Sequence, residues 1–190
     1  MADYLQITKH LEEWEARACD LVYLISHRPG DVLRLRDEEP WVRYVDDKVV
    51  VSFTATKNEQ AVEIVDHVGT EGGIEATLAW FRQWKKEQGI HSPWVVCYPK
   101  TARKRDIARP VSRDYLSRRF AEAVVAAGFP AGTYTLRDLR KTGLTDEARL
   151  AGAATMKGGH KTEQMRQYYV VGGVPQRVRN NLVVIRGGGR

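Results

Sequence analysis

Three consecutive strand signals near the N-terminal third of the chain restrict the folds that it can adopt. The first is WVRYV, the second is VVVSFT beyond an Asp-Asp turn, and the third lies around AVEIV. In the second run Val49, Val51 and Phe53 fall on one face, which is the two-residue period of a half-buried strand. Short connections join antiparallel strands, so the pattern predicts a small antiparallel sheet with Lys57 at a hairpin tip.

Helical signals surround these strands. Apolar residues recur at helical spacing, and proline, serine and glycine stand where helices begin or end. The predicted helices run from about Thr8 to Ile25, from Pro29, from Ile74 to Gly89, from Ser112 to Gly128, and through TLRDLRKTGLTDEARLAG. The segments VVCY and LVVI are typical of short strands. The sequence therefore predicts an α+β fold that is mainly helical and contains a small antiparallel β-sheet.

The composition suits one globular domain, since the 190 residues are 43% hydrophobic and 28% charged. No apolar run approaches the roughly 20 residues that a membrane helix needs, and the N-terminus MADYLQITKHLEEW is too polar for a secretion signal. We therefore expect a cytoplasmic protein. Cys19 and Cys97 lie far apart, and the histidines lack metal-ligand spacing, so no metal site is predicted.

Positive charge is concentrated in one segment. The whole chain has a net charge of +6, and residues 100–119 alone carry a local excess of the same size. The basic residues of this segment are Lys100, Arg103, Lys104, Arg105, Arg109, Arg113, Arg118 and Arg119. Clustered Lys and Arg attract phosphates and release bound counterions, so the segment is predicted to bind DNA. A solvated basic loop is the alternative.

Four short motifs follow one another along the chain: HRPGDVLRLR, TATKNEQ, RDLRKTG and GGHKTEQMRQYY. Each alone is weak. In this order and spacing they resemble the catalytic domain of the tyrosine recombinases, also called the phage integrase family. That family has an arginine in a phrase like HRPGDVLRLR, a lysine on a β-hairpin, an H-x-x-R motif, and a G-H dipeptide followed by a tyrosine. The resemblance extends from about Tyr4 to Tyr169.

The resemblance implies catalytic roles for particular residues. Arg28 and Arg140 would bind the phosphate, Lys57 would be the general acid, and His160 would complete the set. Tyr169 would be the nucleophile, which attacks a DNA phosphodiester and forms a 3′-phosphotyrosine link, while Tyr168 would be a packing residue. No metal or other cofactor is implied, because cationic side chains stabilise the developing charge.

One position departs from the family pattern. Arg137 stands where the family has the histidine of its H-x-x-R motif. Histidine can accept a proton, whereas arginine stays protonated and only donates hydrogen bonds. Arg137 is therefore expected to contact the phosphate, and His160 or water would accept the proton of the tyrosine.

The family also implies how the chain is organised and what it binds. We expect a catalytic domain over residues 1–172 and a tail over residues 173–190, which either packs on a neighbouring protomer or folds back onto its own sheet. The core-binding and arm-binding domains that often precede the catalytic domain are expected to be missing. The expected partners are double-stranded DNA attachment sites, three further copies in a homo-tetramer on DNA, and an accessory bending or excision factor. The free protein would be a monomer.

The sequence therefore favours a site-specific DNA recombinase of phage or prophage type, which integrates or excises DNA. Two alternatives remain open. One is a DNA-binding relative that has lost catalysis, for which Arg137 is the hint. The other is a type IB topoisomerase-like enzyme, which uses the same tyrosine chemistry without choosing a site.

Overall fold

The structure is a computed structural model that describes residues 2–57, 59–100, 108–151, 176–179 and 182–184. Its helices are α1 (Ala2–Thr8), α2 (Glu13–Ile25), α3 (Pro29–Val32), α4 (Ile74–Gln88), α5 (Arg113–Ala126) and α6 (Leu136–Ala151). Its strands are β1 (Val42–Val45), β2 (Lys48–Ala55), β3 (Gln60–His67) and β4 (Gln176–Arg179). The predicted α+β class is confirmed. In the described part of the chain, no helix is long and apolar enough to cross a membrane.

The strands form one sheet in the order β1-β2-β3-β4. The first three pair antiparallel, with Val51 opposite both Val42 and Ile64, as the alternating sequence pattern predicts. The fourth strand pairs in parallel with β3 of the same chain, and Val62 is the partner of Gln176. The tail strand therefore lies earlier than the predicted LVVI segment. Residues 182–184 of that segment are not a strand.

Leu182 and Val184 instead enter the hydrophobic core, where they are 1% and 3% exposed. The amide of Val184 donates to the carbonyl of Gly72 at 2.8 Å. A Cβ atom at Gly72 would overlap the backbone of Val184, and the positive φ of 69° at this glycine also disfavours other residues. Residues 182–184 are thus held against the domain beside the start of α4.

Helix α2 runs through the centre of the core. Ala18, Leu21, Val22 and Leu24 are each 0% exposed, and the helix contacts both α4 and α6. Because so much apolar surface surrounds it, burial of α2 is a large contribution to the stability of the domain.

The predicted start of this helix at Thr8 was wrong. Helix α1 ends at Thr8, and α2 begins only at Glu13. A capping box starts α2, in which the backbone amide of Glu12 donates to Oε2 of Glu15 at 3.1 Å. A capping box supplies acceptors for amides that the first turn leaves unpaired, so it fixes the helix start.

The predicted VVCY strand is also wrong. Val95, Val96 and Cys97 are buried, but they form no strand, and Cys97 forms an isolated antiparallel bridge with Pro110. A short apolar run is buried in either case, so its hydrophobicity did not distinguish a strand from a buried loop.

Gly143 lets α6 approach the end of α2 very closely. A Cβ atom at this position would overlap the carbonyl oxygen of Tyr23 and Oγ of Ser26. Ser26 is the C-cap of α2, with a left-handed φ of 57° and an amide that donates to the carbonyl of Val22 at 3.0 Å. Two residues after this turn the chain reaches Arg28. The contact at Gly143 therefore brings the first half of α6 next to the start of α3.

Replacing Gly143 by Ala is expected to destabilise the protein, even though alanine is the better helix former. A methyl group inserted against the backbone of α2 forces the two helices apart, and such overpacking costs roughly 1–3 kcal/mol. Urea unfolding followed by circular dichroism measures the change. Gly30→Ala is the matched control, because a Cβ atom at Gly30 meets nothing within 4 Å. Equal stability of the two variants would contradict the close approach.

Candidate active site

A cleft of about 1010 Å³ opens where α3, the β2–β3 hairpin, α5 and α6 meet. Each of these elements contributes charged or polar side chains to its walls. They include Arg28, Asp31, Thr56, Lys57, Arg113, Asp114, Ser117, Arg137 and Arg140. Four residues that the sequence predicted as catalytic, at positions 28, 57, 137 and 140, therefore line one cavity although they lie far apart in the chain.

Arg28 is placed by the start of α3. It is the N-cap of that helix, with φ −60° and ψ 134°, and Pro29 follows as the first helical residue. Proline at this position fixes the entry of the chain into the helix without losing a hydrogen bond. Helix α3 contacts both α6 and β2, so Arg28 lies at a junction of three elements.

Arg137 and Arg140 are placed by the start of α6. Asp138 fixes this helix start, since its Oδ2 accepts from the amide of Thr135 at 3.0 Å and from the hydroxyl of Thr135 at 2.7 Å. The bonds from Thr135 lower the pKa of the Asp138 carboxyl. Arg137 and Arg140 are three residues apart and so share a face of the helix.

The charges of the three arginines interact unfavourably. Burial lowers the pKa of Arg140, and the positive charges of Arg28 and Arg137 lower it further. Asp31 has the opposite, weaker effect. A lowered pKa means that the protein around Arg140 disfavours its positive charge. An anion in the cleft would relieve this repulsion, so the site is suited to a negatively charged ligand.

Asp31 connects α3 to the hairpin that carries Lys57. This carboxylate is 4% exposed. Its Oδ1 accepts from the hydroxyl of Thr56 at 2.7 Å and from the amide of Thr56 at 3.3 Å. Among the described residues, the buried Oδ2 of Asp31 has no hydrogen-bond partner. Asp31 is therefore a positioning residue that holds Thr56, the neighbour of Lys57, against α3.

The sequence did not identify Asp31 as part of the site. It stands in HRPGDVLRLR, where an acid in the first turn of a helix is explained by the helix dipole alone. The partner that reveals its role, Thr56, is 25 residues away. Only the tertiary fold brings the two together.

The predicted DNA-binding residues lie in different places. Arg113 lines the cleft, whereas Arg118 and Arg119 do not. Arg119 donates to the fully buried carboxylate of Glu15 at 2.8 Å and to Glu122, and these bonds raise the pKa of Arg119. Arg118 donates to Glu122 at 2.9 Å and lies over the ring of Tyr115. Lys100 and Arg109 are exposed and outside the cleft lining.

The remaining predicted residues lie outside the described part of the chain. They are Arg103, Lys104, Arg105, His160, Tyr168 and Tyr169. The roles assigned to them stay predictions. In the described part, no group of three or more His, Cys, Asp or Glu side chains is arranged to hold a metal ion.

The chain resembles known proteins in its structure but not in its sequence. No protein-family model matches the chain, and no curated protein is detectably similar to it in sequence. Solved structures of site-specific recombinases share its fold. The lambda integrase catalytic core is 20% identical, with a TM-score of 0.63 over 84% of this chain and 93% of that one.

The XerH site-specific recombinase, bound to its difH substrate in a pre-cleavage complex, is 11% identical, with a TM-score of 0.61 over 87% of this chain and 47% of that one. A lambda integrase tetramer bound to a Holliday junction is 18% identical, with a TM-score of 0.57 over 85% of this chain and 45% of that one. The chain thus spans about half the length of the recombinases bound to DNA. It has the catalytic-domain fold of the tyrosine recombinases.

Replacing Arg137 by Gln is expected to change how the protein responds to sulfate. Without an added anion, the variant loses a like-charge neighbour of Arg140 and gains about 0.5 kcal/mol in its free energy of unfolding. With sulfate, the gain in stability is smaller than in the unmodified protein, because a ligand that binds the folded state more weakly stabilises it less. Thermal unfolding at increasing sodium sulfate concentration measures both effects.

Arg149→Gln is the matched control for this comparison. Arg149 lies on the same helix, is exposed, and pairs with Asp146 at 3.5 Å. It is not among the cleft-lining residues. Its variant should keep the full sulfate response. If Arg137→Gln and Arg149→Gln respond to sulfate alike, the arginine cluster is not an anion site.

Proposed function

We propose that the protein is a site-specific DNA recombinase, which cleaves and rejoins DNA strands through a covalent 3′-phosphotyrosine intermediate. The observation that carries the proposal is the cleft in which Arg28, Arg137, Arg140 and Lys57 meet. This cleft lies in a fold shared with lambda integrase and XerH. A cationic cluster of this kind matches the charge of a phosphodiester.

The arginines would stabilise the transition state. A phosphodiester under attack gains negative charge on its non-bridging oxygens, and guanidinium groups donate to such oxygens in a fixed, planar arrangement. The lowered pKa of Arg140 supports this role, since burial lowers it and the positive charges of Arg28 and Arg137 lower it further. The negative charge that develops on the phosphate oxygens would therefore be stabilised by arginines that are already in place.

The proposed reaction breaks one bond for each bond that it forms. The phenolic oxygen of Tyr169 bonds to phosphorus while the bond between phosphorus and the 5′-oxygen breaks. Lys57 donates a proton to the departing 5′-oxygen, and His160 or water accepts the phenolic proton. A 5′-hydroxyl then attacks the phosphotyrosine, which reverses these steps and rejoins a strand.

Arg137 gives the cleft one more permanent positive charge than a histidine would. It is exposed, lies three residues before Arg140, and lines the same cavity. An arginine does not release a proton at neutral pH, so its role in the proposal is to bind phosphate. The presence of Arg137 where the family has histidine also supports a second candidate function, that of a DNA-binding protein without catalysis.

The partners follow from the same proposal. Double-stranded DNA carrying attachment sites would be the substrate, and a homo-tetramer would hold two duplexes for strand exchange. The lambda integrase structure with this fold is a tetramer bound to a Holliday junction. The chain covers 45% of that protein.

A library of nicked duplexes with randomised sequence tests the reaction without knowledge of the target site. A nick just beyond the scissile phosphate lets the cleaved fragment diffuse away, so the covalent protein–DNA adduct accumulates. We expect an adduct that resists denaturant, is lost in Tyr169→Phe and is retained in Tyr168→Phe. Gel electrophoresis measures the adduct, and sequencing of its DNA identifies the preferred site.

The other outcomes separate the alternatives. An adduct lost in Tyr168→Phe and retained in Tyr169→Phe would move the nucleophile by one residue. Adducts on unselected sequences, together with relaxation of supercoiled plasmid, would favour the topoisomerase-like enzyme. DNA binding without any adduct would favour the relative that has lost catalysis.

Replacing Lys57 by Ala is expected to slow cleavage of ordinary DNA by about 10²–10⁴-fold, because the departing oxygen loses its proton donor. A substrate with sulfur in place of the bridging 5′-oxygen should be cleaved at nearly the original rate, since a thiolate leaves without a proton. Lys48→Ala, at the other end of β2, is the matched control and should change neither rate. An equal loss on both substrates would exclude Lys57 as the general acid.

A further inference from the structure

A second cavity, of about 190 Å³, lies where α1, α2, α5 and α6 meet. Four aromatic side chains and two carboxylates line it, namely Tyr4, Tyr23, Phe120, Tyr134, Asp3 and Asp138. Among the described residues that line this cavity, none is a lysine or an arginine. It adjoins the arginine-rich cleft, since Tyr134 and Thr135 line both. Two sites of opposite electrostatic character therefore lie next to each other.

Two of the tyrosines have hydroxyl groups that are already engaged. Tyr4 donates to Oδ1 of Asp20 at 2.6 Å, and Tyr23 donates to Oδ2 of Asp146 at 3.0 Å. Neither of these aspartates lines the cavity. The rings of Tyr4 and Tyr23 are stacked, with their centroids 6.3 Å apart. A ligand in the cavity would therefore meet the rings of these residues more than their hydroxyl groups.

Tyr134 brings a carboxylate together with its ring. Its hydroxyl donates to Oδ2 of Asp3, and this bond raises the pKa of the Tyr134 phenol. Asp138 is the second carboxylate of the cavity, and its Oδ1 lies 3.3 Å from Nζ of Lys141. The Lys141 side chain is 71% exposed, so solvent screens its charge. The lining therefore keeps a negative character.

This combination of groups favours one kind of ligand. The face of an aromatic ring is negative and attracts a cation, more strongly where water is excluded. The carboxylates attract a cation as well and repel an anion. A quaternary ammonium group spreads its charge over methyl groups, which also pack well against rings, and aromatic cages bind such groups for this reason. The cavity thus fits an organic cation.

We propose that this cavity binds a small quaternary ammonium group of the kind found in choline. The rings of Tyr4, Tyr23 and Tyr134 surround the methyl groups, and the two carboxylates add electrostatic attraction. The size is sufficient, because a cavity of about 150 Å³ already accommodates benzene. The site is separate from the arginine cluster, so the inference does not rest on the proposed function.

A titration of the full chain with choline chloride at constant ionic strength tests this inference. Protons that lie over an aromatic ring resonate upfield, so the trimethylammonium proton signal of choline should move upfield on binding. The neutral carbon analogue, in which a tert-butyl group replaces the trimethylammonium group, is titrated in parallel. It should bind at least about tenfold more weakly, because it has the same shape but no charge.

Variants test which side chains form the site. Tyr134→Leu should weaken choline binding by about tenfold because it removes one ring, whereas Tyr134→Phe should keep most of the affinity. Asp3→Asn removes an exposed charge and should weaken binding by about threefold. Tyr44→Leu and Glu122→Gln are the matched controls, since neither residue lines the cavity, and both should bind choline unchanged.

Circular dichroism checks the fold of each variant. If Tyr134→Leu does not fold, the comparison of Asp3→Asn with Glu122→Gln carries the test. A peptide that contains trimethyllysine distinguishes a side chain from a free small molecule as the source of the group, and tighter binding of either supports the inference.

Three results would overturn the inference. The first is a choline signal that does not shift. The second is equal affinity for choline and its neutral analogue, which would mean that any apolar group fills the cavity. The third is equal binding by Asp3→Asn and Glu122→Gln together with equal binding by Tyr134→Leu and Tyr44→Leu. None of these results bears on the covalent adduct with nicked DNA, so failure here is distinguishable from failure of the proposed function.

Discussion

The cleft depends on the close approach of α6 to the end of α2 at Gly143. No side chain fits between α6 and the backbone of Tyr23. The chain then leaves α2 at Ser26, which is the C-cap of that helix. Arg140 lies one turn before Gly143, and Arg28 lies two residues beyond Ser26. A single backbone contact thus brings two arginines together that are more than a hundred residues apart in the chain.

This arrangement works against the stability of the free protein. Like charges are crowded around a half-buried Arg140, and its pKa is lowered by burial, by Arg28 and by Arg137. Functional sites often violate the rules that stabilise the rest of a fold, and the surrounding structure must then compensate. Here the apolar residues of α2 supply buried contacts, and Asp31 supplies a nearby negative charge that raises the pKa of Arg140.

The sequence predicted those features that depend on local pattern. Alternating apolar residues located β1, β2 and β3. The order of the motifs predicted that Arg28, Lys57 and Arg140 belong to one site, and the three residues line one cleft in the structure. The start of α2 was missed because its capping box uses Glu12 in place of the usual serine or threonine. Asp31 was missed because its partner, Thr56, is distant in sequence. His160 and Tyr169 lie outside the described residues, so their roles rest on the motif resemblance alone.

The basic segment illustrates why a cluster of charges in sequence differs from a charged surface. Within α5 the period of the helix separates the arginines, so that Arg113 faces the cleft while Arg119 turns toward the buried Glu15, 104 residues away. If an arginine that neutralises a buried carboxylate moved to a phosphate, the carboxylate would be left as an unpaired charge in the core. The number of phosphate contacts, and with it the salt dependence of DNA binding, is therefore set by the helix phase and by the position of Glu15, not by the count of basic residues.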